Sequence, residues 1–157
     1  MGGNTMHVTL ISEPSCRQAI AREVLLDLPE WFGIPESTEE YIRESAHMPF
    51  FAAMDEDEIV GFMVLKETSP FTCEIYVTGV KKRFHRSGAG SAMFAEFCRY
   101  ARQQGYRFAQ VKTVAAGCYP EYDATRRFYE HLGFAALEVF PTLWDESNPC
   151  LVMVMAL

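Results

Sequence analysis

Val80-Lys81-Lys82-Arg83-Phe84-His85-Arg86-Ser87-Gly88-Ala89-Gly90-Ser91 decides how the rest of the chain is read. An apolar run from Thr72 to Val80 enters this stretch with the length of a strand, and a helical pattern leaves it near Ala89. Between them stand Lys81, Lys82, Arg83 and Arg86, then His85, and then Gly88 and Gly90. Glycine lets a chain turn tightly and aim its N–H groups at one point. The first turn of a helix adds donors without intrahelical partners and the positive end of a dipole. Such a unit suits phosphate oxygens, with the cations supplying full charge nearby. A plain strand-to-helix turn reads the same way, and the residues alone leave both open.

Two common phosphate loops are tested by spacing. A Walker loop needs Gly-Lys-Ser/Thr, and Gly90-Ser91-Ala92 does not provide it. A dinucleotide fingerprint needs a third glycine where Met93 stands. An unrelated nucleotide-binding module therefore survives only as an alternative.

Read in register, His85-Arg86-Ser87-Gly88-Ala89-Gly90 resembles the acetyl-CoA-binding motif of the GNAT N-acetyltransferase family, Arg/Gln-x-x-Gly-x-Gly/Ala. His85 stands where that motif has Arg or Gln, with Arg86 beside it. A second block, Ala124 to Phe134, is similar to the family's late helix, in which a Phe-Tyr pair (Phe128-Tyr129) precedes a Gly-Phe (Gly133-Phe134). Tyr122 and Thr125 replace the Asn and Ala frequent there. The resemblance covers roughly the second two-thirds of the chain. It implies an α/β (α+β) fold, with a mixed, mostly antiparallel central sheet splayed at its middle and helices on both faces. It also implies acetyl-CoA as cosubstrate, held by Val80, Lys82, His85, Arg86, Ser87, Gly88, Ala89, Gly90, Ser91 and Thr125. Arg126 is a further candidate phosphate contact, or part of a solvated helix face.

Amine acetylation makes three physical demands. The acceptor must lose a proton, because an ammonium (pKa about 10.4) has no lone pair. The thioester carbonyl must be polarised. The departing thiolate is helped by a proton. The resemblance gives the last task to Tyr129, whose bland reading is a core aromatic beside Phe128. It gives carbonyl polarisation to N–H groups around Val80. Glu74 shares a strand face with Tyr76, Thr78 and Val80 and resembles the base position of the histone-type branch; a carboxylate facing solvent is the other reading, and water is the other base. Trp31, Phe32 and Trp144, with Asp145 and Glu146, are candidates for the acceptor pocket, against ordinary loop packing.

Bulk properties fit this reading. A chain of 157 residues is most simply one domain, 1–157, with 1–5 a flexible leader. Net charge −7 disfavours general nucleic-acid binding; it is compatible with a cationic acceptor, but taken alone it reads first as charge that keeps the protein soluble. No apolar run reaches membrane-spanning length, and no secretory signal pattern opens the chain, so a cytoplasmic protein without membrane partners is expected. Cys16, Cys73, Cys98, Cys118 and Cys150 lack metal or disulfide spacing, which suits a reducing compartment, with Cys73 and Cys98 as buried thiols. No metal is expected, and a homodimer is a reasonable prior.

The remaining pattern places a strand at Met6 to Ile11 and a helix opened by Pro14. A second helix begins at Ser37 or Thr38, with Ser37 and Glu40 at capping-box spacing. Phe50–Met54 and Ile59–Lys66 flank a solvated acidic turn, Asp55 to Glu58, and read as a hairpin. Helices at Ala89–Gln104 and Asp123–Leu132 enclose a strand at Arg107–Thr113. Short strands at Leu137–Phe140 and Leu151–Met155 flank a Pro141–Pro149 loop. The function expected is transfer of acetyl from acetyl-CoA to a primary amine of a small molecule or protein, by direct attack in a ternary complex. A CoA-binding regulator with little catalysis is the alternative within the same fold.

Overall fold

Period-two burial makes the strands. In β2 (Phe50–Asp55), Phe50 and Ala52 face one way and Phe51 the other, and all three are fully buried. Phe50 and Ala52 join a core built from α1 (Pro14–Leu26), α2 (Pro35–Ser45), β3 (Glu58–Ser69) and β4 (Thr72–Val80). Ile20, Val24 and Leu25 of α1, Ile42 of α2, Phe62 and Val64 of β3 and Val77 of β4 fill it. Phe51 meets Phe97 and Tyr100 of α3 (Ala89–Gln103) on the opposite face. Helices thus cover both faces of these strands. β1 (Met6–Leu10) adds antiparallel to β2.

The computed structural model describes residues 6–157, and the leader expected over 1–5 lies outside them. The chain forms two units: residues up to Lys66 with Tyr76–Tyr100, and Glu67–Ile75 with Ala101–Leu157. The second unit holds the start of β4, β5 (Phe108–Val114), α4 (Pro120–Leu132), β6 (Ala135–Asp145) and β7 (Asn148–Ala156). β7 lies antiparallel between β5 and β6. Hydrogen bonding links the strands in the order β1-β2-β3-β4-β5-β7-β6, a mostly antiparallel seven-stranded sheet. The parallel β4–β5 ladder pairs Thr72, Cys73 and Glu74 with Phe108, Ala109 and Gln110, and β4 runs on to Val80 beyond it.

Of the boundaries that differ from the sequence expectation, three turn on a proline, while β3 runs on to Ser69 rather than ending at Lys66. Pro35 and Pro120 occupy first-turn positions of α2 and α4, where a missing N–H is not needed. Both helices therefore start earlier than Ser37 and Asp123. The Ser37–Glu40 capping box is not used: Ile34 is the N-cap and makes no side-chain cap bond. The expected Pro141–Pro149 loop is instead an extension of the β6–β7 hairpin. Pro141 sits on the edge strand, where one side needs no partner, and the register shifts between Phe140 and Asp145.

Candidate active site

The glycine turn has the geometry that its residues suggest. Arg86 and Gly88 both adopt left-handed backbone, at φ 66° and 86°. For Arg86 this is uncommon, since a Cβ crowds the following carbonyl there. The first α3 bond runs from Ala92 N–H to Gly88 O at 3.0 Å, and the Ala89 N–H bonds Ser87 Oγ at 3.3 Å. The N–H groups of Gly88, Gly90 and Ser91 thus precede the helical ladder, as first-turn donors do. A Cβ built on Gly88 meets nothing within 4 Å, so the space beside Gly88 is open. Unpaired donors, a helix start and the exposed Arg86 guanidinium fit a diphosphate in chemistry.

The other cations are engaged differently from the expectation. Lys81 pairs with Glu23 and Arg83 with Glu58. Lys82 Nζ lies 2.5 Å from Glu30 Oε1, and the Lys82 N–H donates to Asp27 Oδ2 at 2.7 Å. Lys82, expected at the cosubstrate, thus has both donor groups on acids of the turn that follows α1. Glu30 is held below the usual carboxylate range by its bond from Lys82 and by a backbone donor. Glu58, expected to be only solvated, holds Arg83. Among the described residues Arg86 is the loop cation that makes no ion pair. His85 Nε2 lies 2.8 Å from Val80 O, and its ring meets Trp31 at 5.9 Å.

Trp31 and Phe32 are half-buried and pack on the unit's core. They continue into rings that sequence reading missed. Phe32 meets Tyr41 edge-on at 5.9 Å, and Tyr41 meets Tyr76 at 5.4 Å. The Lys66 ammonium stands 5.3 Å from the centre of the Tyr76 ring. Burial pushes the Tyr76 hydroxyl up to about 12, with Tyr41, Glu40 and Glu44 adding and Arg43 opposing. Tyr76 was visible only as a neighbour of Glu74 on a strand face. The α2 residue Tyr41 could be placed beside it only by tertiary packing.

The second unit holds the other candidates. Glu74 is buried, which removes the solvent-facing reading. Its Oε1 accepts from Gln110 Nε2 at 2.7 Å and Lys112 Nζ at 3.0 Å, both on β5. Tyr129 is buried near the end of α4. Phe134 N–H bonds Tyr129 O at 3.0 Å, and Gly133 N–H bonds Glu130 O at 3.1 Å, with Gly133 at φ 114°. That is a Schellman closure, and the Tyr129–Phe134 ring contact at 6.0 Å completes it. The Phe-Tyr and Gly-Phe pairs thus have a local structural reason for their spacing. Thr125 gives its hydroxyl proton to Glu121 O at 3.0 Å. Arg126 lies between Asp123 and Glu130. Trp144, expected at the acceptor pocket, is exposed on β6, the edge strand.

No cluster of His, Cys, Asp or Glu among the described residues could hold a metal ion. No described helix is long and apolar enough to cross a membrane. Cys73, Cys98 and Cys150 are buried, and Cys16 and Cys118 exposed.

A family model described as the acetyltransferase (GNAT) family matches residues 17–134. A Desulfovibrio desulfuricans protein assigned to the GNAT family is 21% identical, with TM-score 0.81, over 96% of this chain and 98% of its own. Ard1 from Thermoplasma volcanium is 20% identical, with TM-score 0.76, over 98% of each chain. A GNAT family acetyltransferase from Elizabethkingia anophelis, solved with acetyl-CoA bound, is 16% identical, with TM-score 0.73, over 99% of this chain and 100% of its own. At these identities the likeness is one of fold. Among curated proteins none matches the sequence.

Proposed function

The chain belongs to the acetyltransferase (GNAT) family and is an acetyl-CoA-dependent acetyltransferase; from that premise we propose that it acetylates a primary amine, on a small molecule or a protein, by direct attack in a ternary complex. The observation that carries this reading is the Arg86–Ser91 turn, with its paired left-handed residues and its donors ahead of the helical ladder. In the proposal, the amides of Gly88, Gly90 and Ser91 and the Arg86 side chain hold the diphosphate, with Val80, Ser87 and Ala89 lining the same stretch. Acetyl-CoA supplies an activated acyl group whose carbonyl is open to attack.

The chain's own residues then divide the work. β4 continues past its three-residue ladder with β5, so the strand edge from Ile75 to Val80 offers main-chain groups to the pantetheine amides and the thioester oxygen. Tyr129 gives its phenol proton to the departing sulfur. Glu74 takes the amine proton, directly or through water; its Oε1 is committed to Gln110 and Lys112, which leaves Oε2 for that task. Phe32, Tyr41 and Tyr76 form an aromatic wall, and the Lys66 ammonium stands over the Tyr76 ring, a cation–ring contact of the kind an amine could make. That supports an amine carried on an apolar stem.

The direct test is acetyl-CoA consumption across a library of amines, alcohols and thiols, read as release of free CoA thiol. Turnover is expected with primary amines. Turnover confined to alcohols or thiols contradicts the amine assignment.

A further inference from the structure

His85 occupies the motif position where the family resemblance expects a phosphate contact, yet its ring is used elsewhere. Nε2 sits 2.8 Å from the Val80 carbonyl oxygen. A carbonyl only accepts, so Nε2 carries the proton of that bond. The same ring meets Trp31 with planes at 79°. One imidazole therefore joins the end of β4 to the turn after α1.

That junction is reinforced on the same side. Lys81 reaches Glu23, the Lys82 N–H reaches Asp27, and Lys82 Nζ reaches Glu30. The α1 turn is closed by Trp31 and Phe32 N–H bonds to Leu28 O, at 3.1 and 3.0 Å. Lys81, Lys82 and His85 are thus fastened along α1 and its turn, while Arg86 and Gly88, next in sequence, take left-handed backbone. A ligand that fixes the 86–91 donors acts one residue away from the His85 ring.

We infer that His85 is a positioning residue that transmits occupation of the diphosphate turn to Trp31. This rests on the reading of residues 86–91 as the diphosphate site. Coupling of this kind is reciprocal, and factors of roughly 5–150 in affinity are usual. Trp31 and Trp144 are the chain's two tryptophans, so Trp144→Phe leaves Trp31 as the single reporter.

The experiment uses that variant and three probes. Acetyl-CoA has both ends, 3′-phospho-ADP has the diphosphate without the thioester arm, and acetylpantetheine has the arm without the diphosphate. Binding heat is measured beside Trp31 emission and its quenching by acrylamide. Acetyl-CoA and 3′-phospho-ADP are expected to change Trp31 emission and quenching, and acetylpantetheine to leave both unchanged. His85→Ala is expected to keep binding heat with acetyl-CoA while losing the Trp31 response. His85→Gln keeps a donor for Val80 but has no ring, and is expected to lose the response as well. His85 is exposed, so neither change removes core packing. Binding heat with a silent Trp31 in the unmutated His85 background overturns the coupling and leaves the diphosphate reading standing. A full Trp31 response in both His85 variants also overturns it. Absence of heat with acetyl-CoA and 3′-phospho-ADP together overturns the diphosphate reading and this inference with it.

Discussion

At the scale of single residues, two tyrosines separate packing from chemistry. Tyr129 is buried by a Schellman closure that any similar helix end would favour, so burial by itself says nothing about catalysis. Tyr129→Phe keeps the ring and its contact with Phe134 and removes only the hydroxyl. If Tyr129 protonates the leaving sulfur, kcat falls by about 10²-fold, while acetyl-CoA affinity by calorimetry stays within a factor of a few. An unchanged kcat removes the role. Tyr76 makes a different prediction. Its pKa rises from 10.0 to about 12, mainly through burial, so the folded state holds this proton more tightly than the unfolded chain. The sign follows from linkage: the contribution is fully present below pH 10 and is lost as pH climbs through about 12. Urea midpoints of wild type and Tyr76→Phe should therefore differ by a constant amount below pH 10 and converge, or cross in favour of the variant, above it. A difference that stays constant through pH 12 contradicts the assignment. Tyr76 belongs to the aromatic wall, a role not legible from its own strand, because its ring partner Tyr41 lies far off in the chain on α2.

At the scale of elements, β3 and β4 approach closely where glycines face each other. A Cβ on Gly61 would stand 2.5 Å from the Gly79 carbonyl oxygen, and one on Gly79 would stand 2.9 Å from Leu28 Cδ1. Backbone cannot move aside without breaking the ladder, whereas the far end of a leucine can rotate. Gly61→Ala should cost about 3 kcal/mol in urea unfolding and Gly79→Ala about 1 kcal/mol. Equal costs would mean that β3 and β4 do not approach in this way. Most elements were legible because periodicity and glycine punctuation are local: Thr72–Val80 is the strand expected, and α3 ends within one residue of its expected end. Boundaries at Pro35, Pro120 and Pro141 were not, because proline breaks a helix interior yet is welcome in a first turn or on an edge strand. Only the finished structure says which of these applies.

At the scale of the whole molecule, the site was legible as a motif and illegible as a charge pattern. Lys81, Lys82, Arg83 and Arg86 read alike in sequence as a basic cradle. Glu23, Asp27, Glu30 and Glu58, distant along the chain, draw the first three away, and Arg86 remains with the backbone donors. Affinity for the diphosphate should then depend on main-chain geometry more than on net positive charge, in keeping with a chain of net charge −7. The most direct test is calorimetric titration of Gly88→Ala with acetyl-CoA and with acetylpantetheine. The added methyl meets no atom within 4 Å, so the variant folds with only the backbone penalty of an alanine at φ 86°, about 1–2 kcal/mol. The account predicts acetyl-CoA affinity at least ~10-fold weaker, with acetylpantetheine binding unchanged. Wild-type acetyl-CoA affinity in a folded Gly88→Ala protein would contradict it.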